Sequence, residues 1–182
     1  MMKTILSVIV FLSISYKVYS QAEILQMPVD ATSGMITYQE VVNVLGTKDE
    51  LFNRCSEWLH TFYPNPWEAT KVRDQATGLI RIQHQFRVYE YGQDSLKTDV
   101  GMIIYNLKLE FKEEKYRYTI DNLLLKSVSR YPIENWLDKN RPDYSEKYQN
   151  YLNQIDHFFR DELIPSLKTG MLPPQEVPED KW

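Results

Sequence analysis

Residues Gly78–Val88 have the sequence GLIRIQHQFRV, in which polar and apolar side chains alternate. This alternation predicts a β-strand with one face toward water and the other toward a core. The polar face carries Arg81, Gln83, Gln85 and Arg87, and the apolar face carries Ile80, Ile82, Phe86 and Val88. His84 also falls on the apolar face. Its imidazole is therefore a catalytic group, a ligand-binding group or a core side chain with one hydrogen bond.

This strand belongs to the first of two predicted β-hairpins. A turn signal at Ala76–Gly78 joins it to a short, charged first arm, of the kind that protects the edge of a sheet. The second hairpin turns near Glu113–Glu114, and its first arm alternates in the same way over residues 103–112. An earlier strand, rich in β-branched and aromatic residues, ends at Gly46.

Two amphipathic helices complete the predicted set of elements. The first begins with a capping box formed by Thr47 and Glu50, and it ends before Pro64. The second has an apolar stripe over residues 148–167, within which Pro165 either kinks the helix or ends it early.

The element order β-α-β-β-β-β-α predicts an α+β domain with one antiparallel sheet of about five strands. Amphipathic strands give such a sheet one dry face, and the two helices are expected to back that face. We place this single domain at residues 35–168, after a lead-in at residues 21–34. Residues 169–182 are expected to form a mobile tail.

The first twenty residues have the pattern of a signal peptide. Lys3 precedes an apolar run over residues 4–15 that is short for a membrane span, and KVYS favours cleavage between Ser20 and Gln21. The alternative is an N-terminal anchor that is retained. We predict an exported protein that is soluble after cleavage, periplasmic or extracellular, and without a stable membrane anchor.

Three stretches resemble an uncharacterised family. They are GMITYQEVVNVLGTKDELFNRCSEWL (residues 34–59), KVRDQATGLIRIQHQF (residues 71–86) and the closing aromatic helix. They are similar to a domain-of-unknown-function family with a TATA-binding-protein-like (TBP-like) fold, found in exported proteins mainly of Bacteroidota, and the likeness spans residues 29–167. The resemblance implies export and a five-stranded sheet with two helices, and it implies no catalytic residues. Residues 130–144 depart from it, being longer and more aromatic than expected.

Charge and cysteine content exclude several classes of function. The net charge is −4, and removal of Lys3 and Lys17 with the leader makes it −6. An acidic chain without a basic block is not expected to bind nucleic acid or to dock electrostatically on an anionic membrane. The TBP-like resemblance does not change this expectation, because the wet face lacks the apolar wedges of minor-groove binders. Cys55 is the single cysteine, so no disulfide framework is available.

The titratable residues give little support for catalysis. His60 and His157 are expected to face water, and no metal-ligand spacing occurs, so we predict no metal, no cofactor and no enzyme activity. His84 is interpreted as a core imidazole bonded to a Tyr hydroxyl or a carbonyl. A thiol hydrolase that uses Cys55 and His84 remains an alternative. Glu40 falls on the apolar face of its strand, where we expect it to reach water at a bulge or a strand end.

The aromatic residues of the connections are the candidate ligand-binding residues: Trp67, Tyr131, Trp136 and Tyr144. Tyr and Trp can stack on sugars or anchor a protein partner, and the alternative is that they seal the rim of the core. The two tryptophans serve one surface only if both are partly exposed within one patch.

The leading hypothesis is an exported, non-catalytic binding or envelope-associated module, whose partner is an unknown protein, a glycan or a small apolar ligand. The alternative is a carrier of small apolar ligands, with a cavity between the sheet and the last helix.

Overall fold

The computed structural model describes residues 25–92, 96–127 and 129–174. The predicted signal peptide, its cleavage site and the end of the predicted tail lie outside these residues.

The described part of the chain is an α+β domain, as predicted. Its elements in chain order are β1 (Tyr38–Asn43), α1 (Lys48–Phe62), α2 (Pro66–Ala69), β2 (Thr70–Asp74), β3 (Leu79–Tyr91), β4 (Lys97–Lys112), β5 (Lys115–Lys126), β6 (Arg130–Pro132), a 3₁₀ turn (Ile133–Leu137), α3 (Lys147–His157), a π-helical segment (Phe158–Leu163) and α4 (Ile164–Gly170). Both hairpin turns lie where the sequence pattern predicts them.

All pairings in the sheet are antiparallel, and the strand order is β1-β5-β4-β3-β2, with β6 also paired to β5. β1 pairs with the first half of β5 and β6 pairs with its last three residues, so these two short strands share one edge. β2 forms the opposite edge. β6 was not predicted, because three residues are too few to show an alternation.

A bulge in β5 keeps its apolar side chains on the dry face. Tyr116, Tyr118 and Ile120 face the core, and simple alternation would then turn Leu123 outward. The register shifts by one residue opposite Tyr105, where Asn122 has a φ of +53°. The extra residue turns the fully buried Leu123 inward.

The helices cover the dry face of the sheet. α1 begins with the predicted capping box, in which the Glu50 amide donates to the Thr47 hydroxyl at 3.2 Å. The closing helix neither stops early nor continues as a regular α-helix. It widens into the π-helical segment before Pro165, which has no N–H and whose ring would otherwise clash with the preceding turn.

The packed core extends beyond the predicted domain of residues 35–168 at both ends. Met27 lies in the predicted lead-in, yet its side chain is buried in the core. Met171 lies in the predicted tail and is fully buried, directly after α4 ends at Gly170. Both methionines add apolar contacts at the ends of the packed domain, so residues 169–171 belong to the domain.

Candidate binding grooves beside the Trp67 loop

The loop before β2 presents Trp67 to solvent. We define the Trp67 loop as residues 63–71. Trp67 is 74% exposed and lies on the one-turn helix α2, which begins at Pro66. The Thr70 hydroxyl donates to the Pro66 carbonyl at 2.7 Å and closes this turn. Tyr63 and Ala69 are both buried, so the exposed indole stands on a segment fixed to the core on both sides.

A small groove, which we call the Trp67 groove, runs between α1 and β2 beneath this indole. It has a volume of about 170 Å³. The Trp67 ring meets the exposed His60 ring of α1 edge-on, with 5.9 Å between centroids. Lys71 and Arg73 line the β2 side of the groove. Arg73 also lies over the Phe52 ring at 5.7 Å.

A second groove, which we call the polar groove, lies on the other side of the loop and has a volume of about 390 Å³. Its lining residues are Pro64, Asn65, Glu68, Ala69, Lys71, Gln83, His84, Gln85, Ile104, Lys126 and Arg130. Lys71 lines both grooves, so they meet at this side chain. The other two cations that line the polar groove are Lys126 of β5 and Arg130 of β6.

His84 does not make the hydrogen bond that we expected. Its Nδ1 is buried without a hydrogen-bond partner among the described residues. The Tyr63 and Tyr105 hydroxyls instead bond to each other at 3.1 Å. The Tyr63 ring meets the imidazole at 4.8 Å in a T-shaped contact. Burial lowers the pKa of His84, and the nearby Glu68 carboxylate opposes this shift.

Cys55 has no access to a substrate. Its side chain is fully buried in the core, and burial raises the pKa of the thiol. A hydrolase needs a thiolate that a substrate can reach. The position of Cys55 therefore gives the thiol-hydrolase alternative no support.

The expectation for Trp136 is wrong. The indole is 3% exposed, so the two tryptophans do not form one exposed surface. The 3₁₀ turn places Trp136 under α3, where Tyr148 stacks on it at 5.2 Å and Tyr151 meets it at 5.7 Å. The later helix thus covers this ring, which acts as part of the core.

Tyr131 and Tyr144 are half-buried beside this covered ring. The Tyr131 hydroxyl donates to the Asp143 carboxylate at 3.3 Å. Tyr144 meets the Tyr148 ring edge-on at 5.9 Å. Tyr131 thus joins β6 to the segment before α3, and Tyr144 packs that segment against α3, so the contacts of both side chains are structural. The connection still reaches the polar groove through Arg130.

Glu40 reaches water as expected, but from the middle of the edge strand β1 and not from a bulge or a strand end, and it has two partners. Its carboxylate accepts from the Tyr118 hydroxyl at 2.8 Å and from Lys168 at 2.9 Å. The hydrogen bond from Lys168, followed by that from Tyr118, lowers the pKa of Glu40. Within the described ranges no cluster of three or more potential metal ligands occurs.

The space between the sheet and the closing helix is filled by aromatic side chains. The Phe86 ring stacks on Phe158 at 4.0 Å, and Phe159 meets Tyr105 at 5.2 Å. Phe159 and Tyr105 are both fully buried. This packing gives no support to the carrier alternative, which needs a cavity at this place.

Residues 38–125 match the family model described as a domain of unknown function, DUF4468, with a TBP-like fold. The predicted resemblance is confirmed. The DUF4468 match ends within β5, so it includes the Trp67 loop and excludes Lys126 and Arg130. No curated protein matches the sequence.

Two solved structures share the fold. A TBP-like protein from Parabacteroides distasonis has a TM-score of 0.61 at 14% identity, over 79% of this chain and 96% of that one. A DUF4468 family protein from Bacteroides ovatus has a TM-score of 0.60 at 12% identity, over 82% of this chain and 94% of that one. At these identities the likeness establishes the fold and nothing about function.

Sequence reasoning missed the basic residues of the polar groove. The charged first arm of the first hairpin, which contains Lys71, was interpreted only as protection for an edge strand, and neither Lys126 nor Arg130 was a candidate. No local signal marks them, because solvated charges are the usual occupants of such positions. They could be recognised only once the pairing of β5 with β6 was known.

Proposed function

We propose that this protein is an exported, non-catalytic binding module whose contact surface is the Trp67 groove with the indole above it. The observation that carries the proposal is the 74% exposure of Trp67 on a segment fixed to the core. An exposed indole in a fixed position is a preferred anchor at protein interfaces, since it contributes a large apolar area and loses little conformational entropy on binding.

The occupant that fits this surface is an extended, acidic segment of a partner protein. Lys71 and Arg73 give the groove a positive wall, and charge complementarity favours carboxylates opposite them. β2 is the edge strand on this side of the described sheet, so an extended segment can lie along it. A volume of about 170 Å³ fits one or two side chains.

A phage-displayed random peptide library, selected on the chain without residues 1–20, tests this proposal. We expect the enriched peptides to be acidic and to lose affinity for Trp67→Ala by about 30-fold or more, because a hot-spot anchor contributes about 2 kcal/mol or more. Leu45→Ala is the matched control, since Leu45 is also exposed and lies outside the groove. Peptides that bind Trp67→Ala and the unchanged chain equally would overturn the proposal.

Export is supported by the N-terminal pattern alone. Expression of the full chain in a Gram-negative host, followed by N-terminal sequencing of the protein outside the cytoplasm, tests it. We expect the mature chain to begin at Gln21. A chain that keeps residues 1–20 and stays with the membrane fraction would favour the retained anchor. Among the described residues no helix is long and apolar enough to cross a membrane.

A further inference from the structure

The polar groove concentrates positive charge outside the Trp67 groove. Lys71, Lys126 and Arg130 line it, and Glu68 is its one acidic lining residue. None of the three cations has an ion-pair partner within the described residues. Some cations elsewhere on the sheet are paired, as Arg117 is with Glu110, whereas Arg81 and Lys112 also lack an ion-pair partner among the described residues.

Two of these cations are held directly opposite each other. Lys126 of β5 pairs in register with Arg130 of β6, so their side chains project from the same face of the hairpin. Like charges at directly opposed positions of antiparallel strands destabilise the pairing. A bound anion would remove this repulsion, and the Arg guanidinium offers it a planar, two-donor fork.

The rest of the groove is lined mainly by polar side chains and has a small apolar area. Ile104 contributes apolar surface to the groove and is almost completely buried, although it belongs to the wet face of β4. The amide side chains of Asn65 and Gln85 line its walls and can donate hydrogen bonds. His84 also lines the groove, and its ring is held in place by Tyr63. These polar groups stand beside the two cations, and a few convergent polar groups of this kind can fix the orientation of a small ligand.

We propose that the polar groove binds a small ligand that carries a carboxylate or phosphate oxyanion, with the oxyanion held between Lys126 and Arg130. Lys71 faces the same groove from the Trp67 loop and provides a second positive group for a ligand with two anionic ends. The oxyanion position itself is separate from the proposed protein-binding surface, because neither Lys126 nor Arg130 lines the Trp67 groove and the two grooves share only Lys71.

Thermal unfolding of the mature chain with succinate, inorganic phosphate or neutral 1,4-butanediol, at constant ionic strength, tests the proposal. We expect succinate or phosphate to raise the Tm by roughly 3–5 °C at about ten times Kd, and butanediol to have no effect. The double variant K126Q/R130Q should lose this rise. K112Q/K139Q is the matched control, since it removes the same charge from exposed lysines outside the groove.

A charge-reversal variant tests whether Lys126 belongs to an anion-binding site or is an ordinary solvated lysine. Lys126→Glu creates an opposite-charge pair with Arg130, so we expect a higher Tm without ligand and no response to succinate or phosphate. W67A should keep the response, which distinguishes failure of this site from failure of the Trp67 surface. The proposal is overturned if neither anion raises the Tm, or if K126Q/R130Q responds like the unchanged chain.

Discussion

The Trp67 loop and the Trp136 connection, which is residues 130–144, are similar in sequence and opposite in environment. Each places a Trp close to Tyr and Pro between regular elements. Trp67 is 74% exposed and Trp136 is 3% exposed. The two rings differ in which elements pack against them. Tyr148 and Tyr151 of α3 cover the Trp136 ring. The Trp67 ring contacts only the edge of the His60 ring among the aromatic side chains of the described residues, and it stays exposed. The composition of a connection therefore does not decide whether its aromatic residues are available for binding.

The largest expected effect is a difference in the free energy of unfolding between the Ala variants of the two tryptophans. Trp136→Ala should lower the free energy of unfolding by about 3–5 kcal/mol, because it removes a buried indole and leaves a cavity beneath α3. Trp67→Ala should change it by less than about 0.5 kcal/mol, as expected for an exposed side chain. Urea unfolding followed by far-UV circular dichroism measures both values without relying on the deleted fluorophores. Similar losses in the two variants would contradict the contrast.

The second effect tests whether the Trp67 loop is fixed to the core. Tyr63→Phe removes the hydroxyl that bonds to Tyr105 and leaves a buried polar group unpaired, which should cost about 1–3 kcal/mol. The double variant Y63F/Y105F should cost less than the sum of the two single variants, because neither hydroxyl then remains.

Tyr91→Phe is the control for this cycle, since the Tyr91 side chain is exposed. Urea unfolding again gives the free energies. Additive losses in the Tyr63 and Tyr105 variants would show that the two hydroxyls do not depend on each other, and that the anchor proposed for the Trp67 loop is absent.

A smaller effect appears with pH beside the same loop. Burial lowers the pKa of His84 in the folded state below its unfolded value of about 6.5. The unfolded state therefore binds the proton more tightly, and stability should fall as the pH drops from about 7 through 6.5 toward the lower folded value. His84→Gln should remove this loss, whereas His60→Gln, at an exposed position, should keep it. The urea midpoints at pH 7.5 and 5.5 measure the difference, and equal loss in all three proteins would contradict the assignment to His84.

The sequence predicted the fold more fully than the grooves, for a physical reason. The capping box of Thr47 and Glu50 and the hairpin turns are local features, and the structure contains them where the pattern placed them. The bulge at Asn122 is also visible in the sequence, since the apolar residues of β5 shift from even to odd positions between Ile120 and Leu123.

No comparable sequence pattern predicts the polar groove. It depends on the pairing of Lys126 with Arg130 and on the approach of the Trp67 loop to both. These contacts are set by tertiary structure and not by sequence spacing. The burial of Trp136 had the same origin, because it required the position of α3 relative to the sheet edge.

The mildest test compares the oxidation rates of the Trp67 and Trp136 indoles in the unchanged protein. Limited oxidation by N-bromosuccinimide converts accessible indoles to oxindoles, and peptide mass spectrometry assigns each product. Trp67 should react many times faster than Trp136, and Trp58, at 3% exposure, should react as slowly as Trp136. In urea above the unfolding transition the three rates should converge, since the protection comes from packing. Fast oxidation of Trp136 in the folded chain would mean that α3 does not stay on its ring, and the Trp136 connection would then return as a candidate binding surface.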